Sequence, residues 1–193
     1  MFEYIKGSVI NLSPAGLVIE TGDIGYFVHI SLTTYTQLHG SDKAKLFLHQ
    51  VIREDAHILY GFFEQAEREL FRMLISVNGI GANTAIMMLS SHKPEELQNA
   101  ILGENVGLLK NIKGIGIKTA QRVIIDLKDK IGKTAAGDLT FRSNENPVRS
   151  EAVAALEMLG FNKKAVEKLV DQILTEQPAM TVENLIKLAL KSF

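Results

Sequence analysis

Ser76-Val77-Asn78-Gly79-Ile80-Gly81-Ala82-Asn83-Thr84-Ala85 is answered 35 residues later by Asn111-Ile112-Lys113-Gly114-Ile115-Gly116-Ile117-Lys118-Thr119-Ala120. Gly-Ile-Gly and Thr-Ala coincide in register, and in both copies a helical apolar run precedes the glycines and another follows them. The pattern reads as helix, tight turn, helix. Glycine permits backbone angles that a side chain resists and lets another molecule approach closely. The amides after each turn open a new helix, so they are unpaired and carry the positive end of its dipole. A turn of this kind is ready to hold a phosphate, and two on one domain can hold two.

A single Gly-x-Gly between helices is also what a plain tight turn looks like; the repeat in register is what distinguishes this one. The pair resembles the helix-hairpin-helix motif of DNA-binding proteins, which grips the backbone without reading bases. A phosphate loop of ATPases needs Gly-x-x-x-x-Gly-Lys-Ser/Thr, whereas Lys118-Thr119 follows Ile117. A dinucleotide fingerprint needs a third glycine where Thr119 stands, and a strand before the turn.

Charge is distributed unevenly. The chain of 193 residues has a formal net charge of −1. Residues 1–63 carry four Lys/Arg against six Asp/Glu, while residues 106–133 carry seven against two. Positive charge is thus gathered around the second turn, where nucleic-acid binding leaves its footprint. A charge cluster of this kind also reads as a solvated helix face. There are no cysteines, so disulfides, thiol catalysis and cysteine-ligated metals are excluded. No apolar run approaches the ~20 residues of a membrane span, and the first residues lack the plan of a signal peptide; a cytoplasmic address fits.

Residues 1–63 read as five short strands: Phe2 to Leu12, Leu17 to Thr21, Gly25 to Ile30, Lys45 to Ile52 and Ala56 to Tyr60, with Ser13-Pro14-Ala15-Gly16 and Gly22-Asp23 as turns. They suit a small closed barrel of the oligonucleotide-binding (OB) type; strand count alone leaves an SH3-type barrel open. Residues 64–132 read as an all-helical domain holding both turns, with Glu64 to Val77 as its first helix and Thr119 to Ile131 as a longer amphipathic one. Residues 133–147 lose periodicity and read as a flexible linker. Residues 148–193 read as a bundle of three helices, about 149–159, 163–175 and 182–192, with Gly160, Asn162 and Thr181 as capping residues. The expected class is α+β and multidomain.

The five histidines are scattered and form no metal pair, and no serine sits in a nucleophile elbow; neither a catalytic residue nor a metal or cofactor is expected. Glu54-Asp55 is an acidic pair at a hairpin tip, either a solvated turn, an acid or metal site, or a negative probe that repels phosphate. Lys118 stands in the first turn of its helix, able to reach a phosphate held by the amides, and Asn83 occupies the same place in the first copy, donating without charge. Arg122 lies one turn beyond Lys118, with Asp126 at i+4 as an alternative partner.

Barrel, paired glycine turns, loose linker and small bundle together resemble the RuvA family, the Holliday-junction-binding subunits of bacterial branch-migration complexes. The stretches that carry the likeness are Arg53-Glu54-Asp55-Ala56 with Leu59-Tyr60-Gly61-Phe62, the two turns, and Glu151-Ala152-Val153-Ala154-Ala155-Leu156 with Leu159-Gly160-Phe161. The resemblance implies a homotetramer, with an octamer on DNA left open, that holds a four-way junction flat. It implies an acidic pin of Glu54 and Asp55 near the fourfold centre. It implies DNA binding by Gly79, Gly81, Asn83, Gly114, Gly116, Lys118, Thr119 and Arg122. It also implies docking of a RuvB-type hexameric ATPase on Leu156, Leu159, Phe161 and Leu190, with a RuvC-type resolvase as a further partner in DNA recombination and repair. The leucines read equally well as bundle core, and Phe161 is the residue expected to be exposed. The family commonly has lysine where Asn83 and Ile117 stand and proline where Ala82 and Lys113 stand, so the first turn brings less charge here. The alternative is a repair enzyme built on the same turns: a glycosylase, for which Asp126 and Asp129 offer an aspartate after the second turn, or a nuclease, which needs clustered carboxylates for a metal.

Overall fold

A computed structural model describes residues 2–140 and 146–192, with backbone only over 133–140. Five strands close a barrel in the order β1-β2-β3-β5-β4: β1 (Tyr4–Ser13), β2 (Gly16–Thr21), β3 (Ile24–Ile30), β4 (Lys43–Ile52) and β5 (His57–Phe62). Neighbours are antiparallel except β3 with β5, which run parallel through His29↔Tyr60 and Ile30↔Gly61. Strand β1 pairs with both β2 and β4, and its register slips between Val9 and Asn11, an irregularity that bends a strand around a closing barrel. Alternation sorts the side chains: in β4, Ala44, Leu46 and Leu48 are buried while Lys43 and Lys45 are exposed. Ile5, Leu17, Ile19, Val28 and Ile30 complete the interior.

Helix α1 (Leu32–Leu38) stands between β3 and β4, where sequence analysis placed no element. Its Thr-Thr-Tyr-Thr run carries little helix propensity, so outside contacts sustain it. Ser31 caps it, accepting from Thr34 N at 3.0 Å. The strand order with this helix distinguishes the OB arrangement from the SH3 alternative.

Then follow α2 (Gln65–Ile75), α3 (Ala82–Ser91), α4 (Pro94–Leu102), α5 (Val106–Lys110) and α6 (Ile117–Thr140). One apolar core runs through the helices and into the barrel: Tyr60 and Phe62 of β5 meet Phe71 of α2 at ring-centroid distances of 5.3 and 4.9 Å. Two polar fasteners join the same parts. The buried carboxylate of Glu67 accepts from the Ser31 hydroxyl and, at 2.7 Å, from Thr34 Oγ1. Arg68, 1% exposed, pairs with Glu3 at 2.6 Å and donates to the Glu3 carbonyl at 3.0 Å. Residues Met1–Lys133 accordingly form one compact unit, although the sequence suggested a division after residue 63.

Helix α6 begins two residues before the expected start and continues to Thr140, so backbone read as linker from 133 is helical to 140. Extending a formed helix costs far less than starting one. Residues 141–145 of that expected linker lie outside the described residues. The second unit, Thr134–Phe193, contains α7 (Pro147–Met158), α8 (Lys163–Glu176) and α9 (Val182–Ser192). Their core joins Ala152, Val153, Leu156, Val166, Val170, Ile173, Leu185 and Ala189. Asn162 caps α8 by accepting from Lys164 N at 3.1 Å.

Candidate nucleic-acid interface

The two Gly-Ile-Gly turns are the same object built twice. Val77 N donates to Leu74 O at 3.1 Å, Ile80 N to Val77 O at 3.0 Å and Ala85 N to Gly81 O at 3.0 Å. In the second copy Ile112 N donates to Leu109 O at 3.2 Å, Ile115 N to Ile112 O at 3.0 Å and Ala120 N to Gly116 O at 2.9 Å. Val77, Ile80 and Ala85 are buried, as are Ile112, Ile115 and Ala120. Apolar residues thus anchor each turn in the core from beneath while its glycines face out.

The four glycines divide into two kinds. Gly79 and Gly114 have φ of 95° and 89°, in the left-handed region that favours glycine. Gly81 has an ordinary φ of −88° and ψ of 168°. A Cβ at Gly81 or Gly116 would meet nothing within 4 Å. Nothing in the surrounding fold therefore demands glycine at 81 or 116. What it leaves there is bare backbone facing open space, at the N-termini of α3 and α6. No side chain caps α3, and among the described residues nothing accepts from the N–H groups of Ala82, Asn83 and Thr84, or of Ile117, Lys118 and Thr119. Unpaired first-turn amides of this kind attract anions.

Lys118 is exposed beside the second set of amides and Thr119 is half-buried. The Arg122 Nε lies 3.9 Å from Asp126 Oδ2, beyond hydrogen-bonding distance, so the exposed guanidinium keeps its donors for an outside acceptor. Lys110 and Lys113 are exposed on the same turn. In the first copy the exposed Asn83 takes the place of Lys118, and its Oδ1 accepts from the Tyr60 hydroxyl at 3.0 Å. A Cβ at Gly114 would lie 3.9 Å from the Met87 methyl of α3, so the first helix-and-turn stands next to the second.

Glu54 and Asp55 are exposed at the tip between β4 and β5, which is closed by Arg53 N donating to Ala56 O at 2.8 Å. The histidines serve the fold where their contacts are described. His49 packs edge-on against Phe71 at 5.3 Å, and burial, with Arg72 and Arg68 nearby, pushes its pKa down. His29 lies against Phe27 and Tyr60.

In the bundle the expected docking residues separate. Leu156 is fully buried in the core and cannot present a surface, because its position on α7 faces α8 and α9; that expectation is corrected. Leu159 is 60% exposed and Leu190 42%. Phe161 is half-buried against the core, so Leu159 and Leu190, not Phe161, are the exposed members of the set. Sequence reasoning missed Met158, 89% exposed. The signal was available in the spacing: Ala152, Val153 and Leu156 stand at the i+3 and i+4 spacings of one apolar stripe, and Met158 falls off it.

Comparison with known proteins covers nearly the whole chain. The family model for the RuvA N terminal domain matches residues 1–61, that for the SAM-like helix-hairpin-helix tandem matches 71–129, and that for the RuvA C-terminal domain matches 147–192. The Holliday junction branch migration complex subunit RuvA of Bacteroides thetaiotaomicron is 51% identical over 199 residues, covering 99% of each chain. The subunits of the same description from Flavobacterium psychrophilum and Christiangramia forsetii are 50% and 48% identical, covering 100% and 99% of each chain. With its OB barrel, its duplicated turns and its terminal bundle each matched in order, this chain belongs to the RuvA family.

Proposed function

We propose that the chain binds the sugar-phosphate backbone of four-way DNA junctions without reading base sequence, as a non-catalytic adaptor for a hexameric ATPase of the RuvB type. One observation carries the reading: two in-register helix N-termini whose amides are free and whose glycines leave empty space above them. Such cradles suit phosphates, and base edges have no part in them. The proposed contacts are the free first-turn amides that follow Gly79–Gly81 and Gly114–Gly116, with Asn83, Lys118, Thr119 and Arg122. The names of the relatives, with their junction and their complex, support the choice of DNA over another polyanion.

The rest of the assignment is proposed on the same basis. Four chains assemble around the junction, as tetramer or paired tetramers, so that four copies of Glu54-Asp55 crowd the crossover and push phosphates apart. Residues 1–63 supply this pin, 64–132 the grip, 133–147 the tether and 148–193 the surface for the motor. Leu159, Leu190 and Met158 are its exposed apolar residues, and a RuvC-type resolvase would act on the opened junction. The site of action is the cytoplasm. A gel-shift comparison at matched salt tests the core of the reading: equal affinity for a four-way junction and for a linear duplex of the same length rejects it. Incubation of labelled junction with the protein and magnesium separates adaptor from enzyme, since strand cleavage or base release without partners would establish the glycosylase or nuclease alternative.

A further inference from the structure

The first turn carries asparagine where the second carries lysine, and the two side chains face different physical problems. Lysine offers donors in every direction. An asparagine amide has a donor end and an acceptor end, related by a half-turn about its last bond. Pointed the wrong way, Asn83 would turn a carbonyl oxygen toward a phosphate, or bend back and occupy the helix amides that the phosphate needs. Either would weaken the cradle.

The barrel supplies what prevents this. Tyr60, near the end of β5, is 3% exposed, and its ring is held between Phe71 at 5.3 Å and His29 at 5.6 Å. Its hydroxyl emerges at α3 and donates to Asn83 Oδ1 at 3.0 Å. With Oδ1 taken, the Nδ2 end is left to face outward from the exposed Asn83. Burial raises the Tyr60 pKa above the usual phenol range, the Arg53 charge opposing it, so the phenol remains a donor at neutral pH.

We propose that Tyr60 is the positioning residue of the first cradle: by donating to Asn83 Oδ1 it presents Asn83 Nδ2, alongside the free amides of α3, to a backbone phosphate of the bound DNA. The proposal rests on the phosphate-gripping role argued above. It makes the OB barrel a working part of the first turn, whereas Lys118 in the second needs no orienting partner.

The test uses the full chain and a fluorescently labelled four-way junction, titrated by anisotropy at several salt concentrations. Tyr60→Phe removes one oxygen, and Asn83→Ala removes the amide. Each weakens binding by roughly 3- to 10-fold, the scale of one hydrogen bond. The double variant is no weaker than Asn83→Ala alone. Asn83→Lys restores affinity equally with Tyr or Phe at position 60 and steepens the salt dependence, while Tyr60→Phe leaves that slope unchanged because no charge is lost. Tyr60→Phe without effect while Asn83→Ala weakens binding overturns the positioning role alone. A Tyr60→Phe loss that persists in the Asn83→Ala background, or that Asn83→Lys does not rescue, also overturns it, by showing a general structural effect. If Asn83→Ala and Gly81→Ala are both silent, the cradle reading itself falls.

Discussion

Replacing Gly81 by alanine and, separately, Gly79 by alanine should split folding from binding within three residues of chain. At Gly79, φ of 95° puts alanine in the left-handed region at a cost of about 1–2 kcal/mol. The stiffer unfolded chain returns about 0.4–1 kcal/mol. The net destabilisation is on the order of 1 kcal/mol, visible in a thermal melt. At Gly81 the backbone is ordinary, at φ −88° and ψ 168°, and the new methyl meets nothing within 4 Å. There the unfolded-state gain and the poorer helix-capping of alanine, about 0.5 kcal/mol, nearly cancel. Stability should stay within about 0.5 kcal/mol of the parent. The methyl does, however, stand in the space above the amides of α3. Displacing one hydrogen bond to a charged group costs about 1.5–3 kcal/mol, or roughly 10- to 100-fold in affinity. The assay is anisotropy with a labelled four-way junction at fixed salt, paired with thermal denaturation, and Gly116→Ala repeats it in the second turn. Junction affinity unchanged in Gly81→Ala and Gly116→Ala would refute the reasoning, because the empty space would then have no occupant.

Glu54→Lys with Asp55→Lys should tighten DNA binding overall, by removing repulsion, while degrading preference for the junction over linear duplex; unchanged affinity and preference together would count against the pin. Glu67 has a raised pKa, chiefly from burial, with hydrogen bonds from Ser31 and Thr34 opposing it. A carboxyl whose folded pKa lies above its unfolded value favours the fold at low pH, and that contribution is lost as pH rises through the folded pKa. Glu67→Gln should therefore gain stability relative to the parent as pH is raised from about 4 to 8, read as the difference in Tm; a gap that stays constant or shrinks contradicts the assignment. Arg68→Ala removes a buried guanidinium that ties α2 to Glu3 and lies over the Phe47 ring at 5.4 Å. Because Glu3 remains mostly in water, the loss should sit at the low end for a broken buried pair, about 3 kcal/mol, lowering Tm by roughly 10 °C; a shift under about 2 °C would show that the apolar core joins barrel and helices unaided.

Local chemistry made much of this molecule legible in one dimension. The repeated Gly-Ile-Gly announces itself because a positive φ and a bare helix start are properties of a few consecutive residues. The bundle helices fell close to their observed bounds because Asn162 and Thr181 cap through neighbours two or three positions away. The barrel strands were visible as short runs rich in β-branched and aromatic residues, punctuated by turn residues. What remained hidden was decided by contacts distant in sequence. Helix α1 has little propensity of its own and is held because Thr33, Thr34 and Leu32 are bonded to Leu89, Glu67 and Ser90. The same contacts, with Arg68 and the Tyr60–Phe71–Phe62 rings, fuse barrel and helices into one unit where a domain boundary was expected.

The sequence by itself therefore determined the class of the fold, the place of both Gly-Ile-Gly turns and the acidic tip, because each is written in nearby residues. Only tertiary structure decided which glycines the fold itself needs and which face open space, that Leu156 belongs to the core while Leu159 and Met158 do not, and that Tyr60 reaches Asn83. Those depend on what stands opposite a side chain in space, and a chain read end to end does not contain that distance.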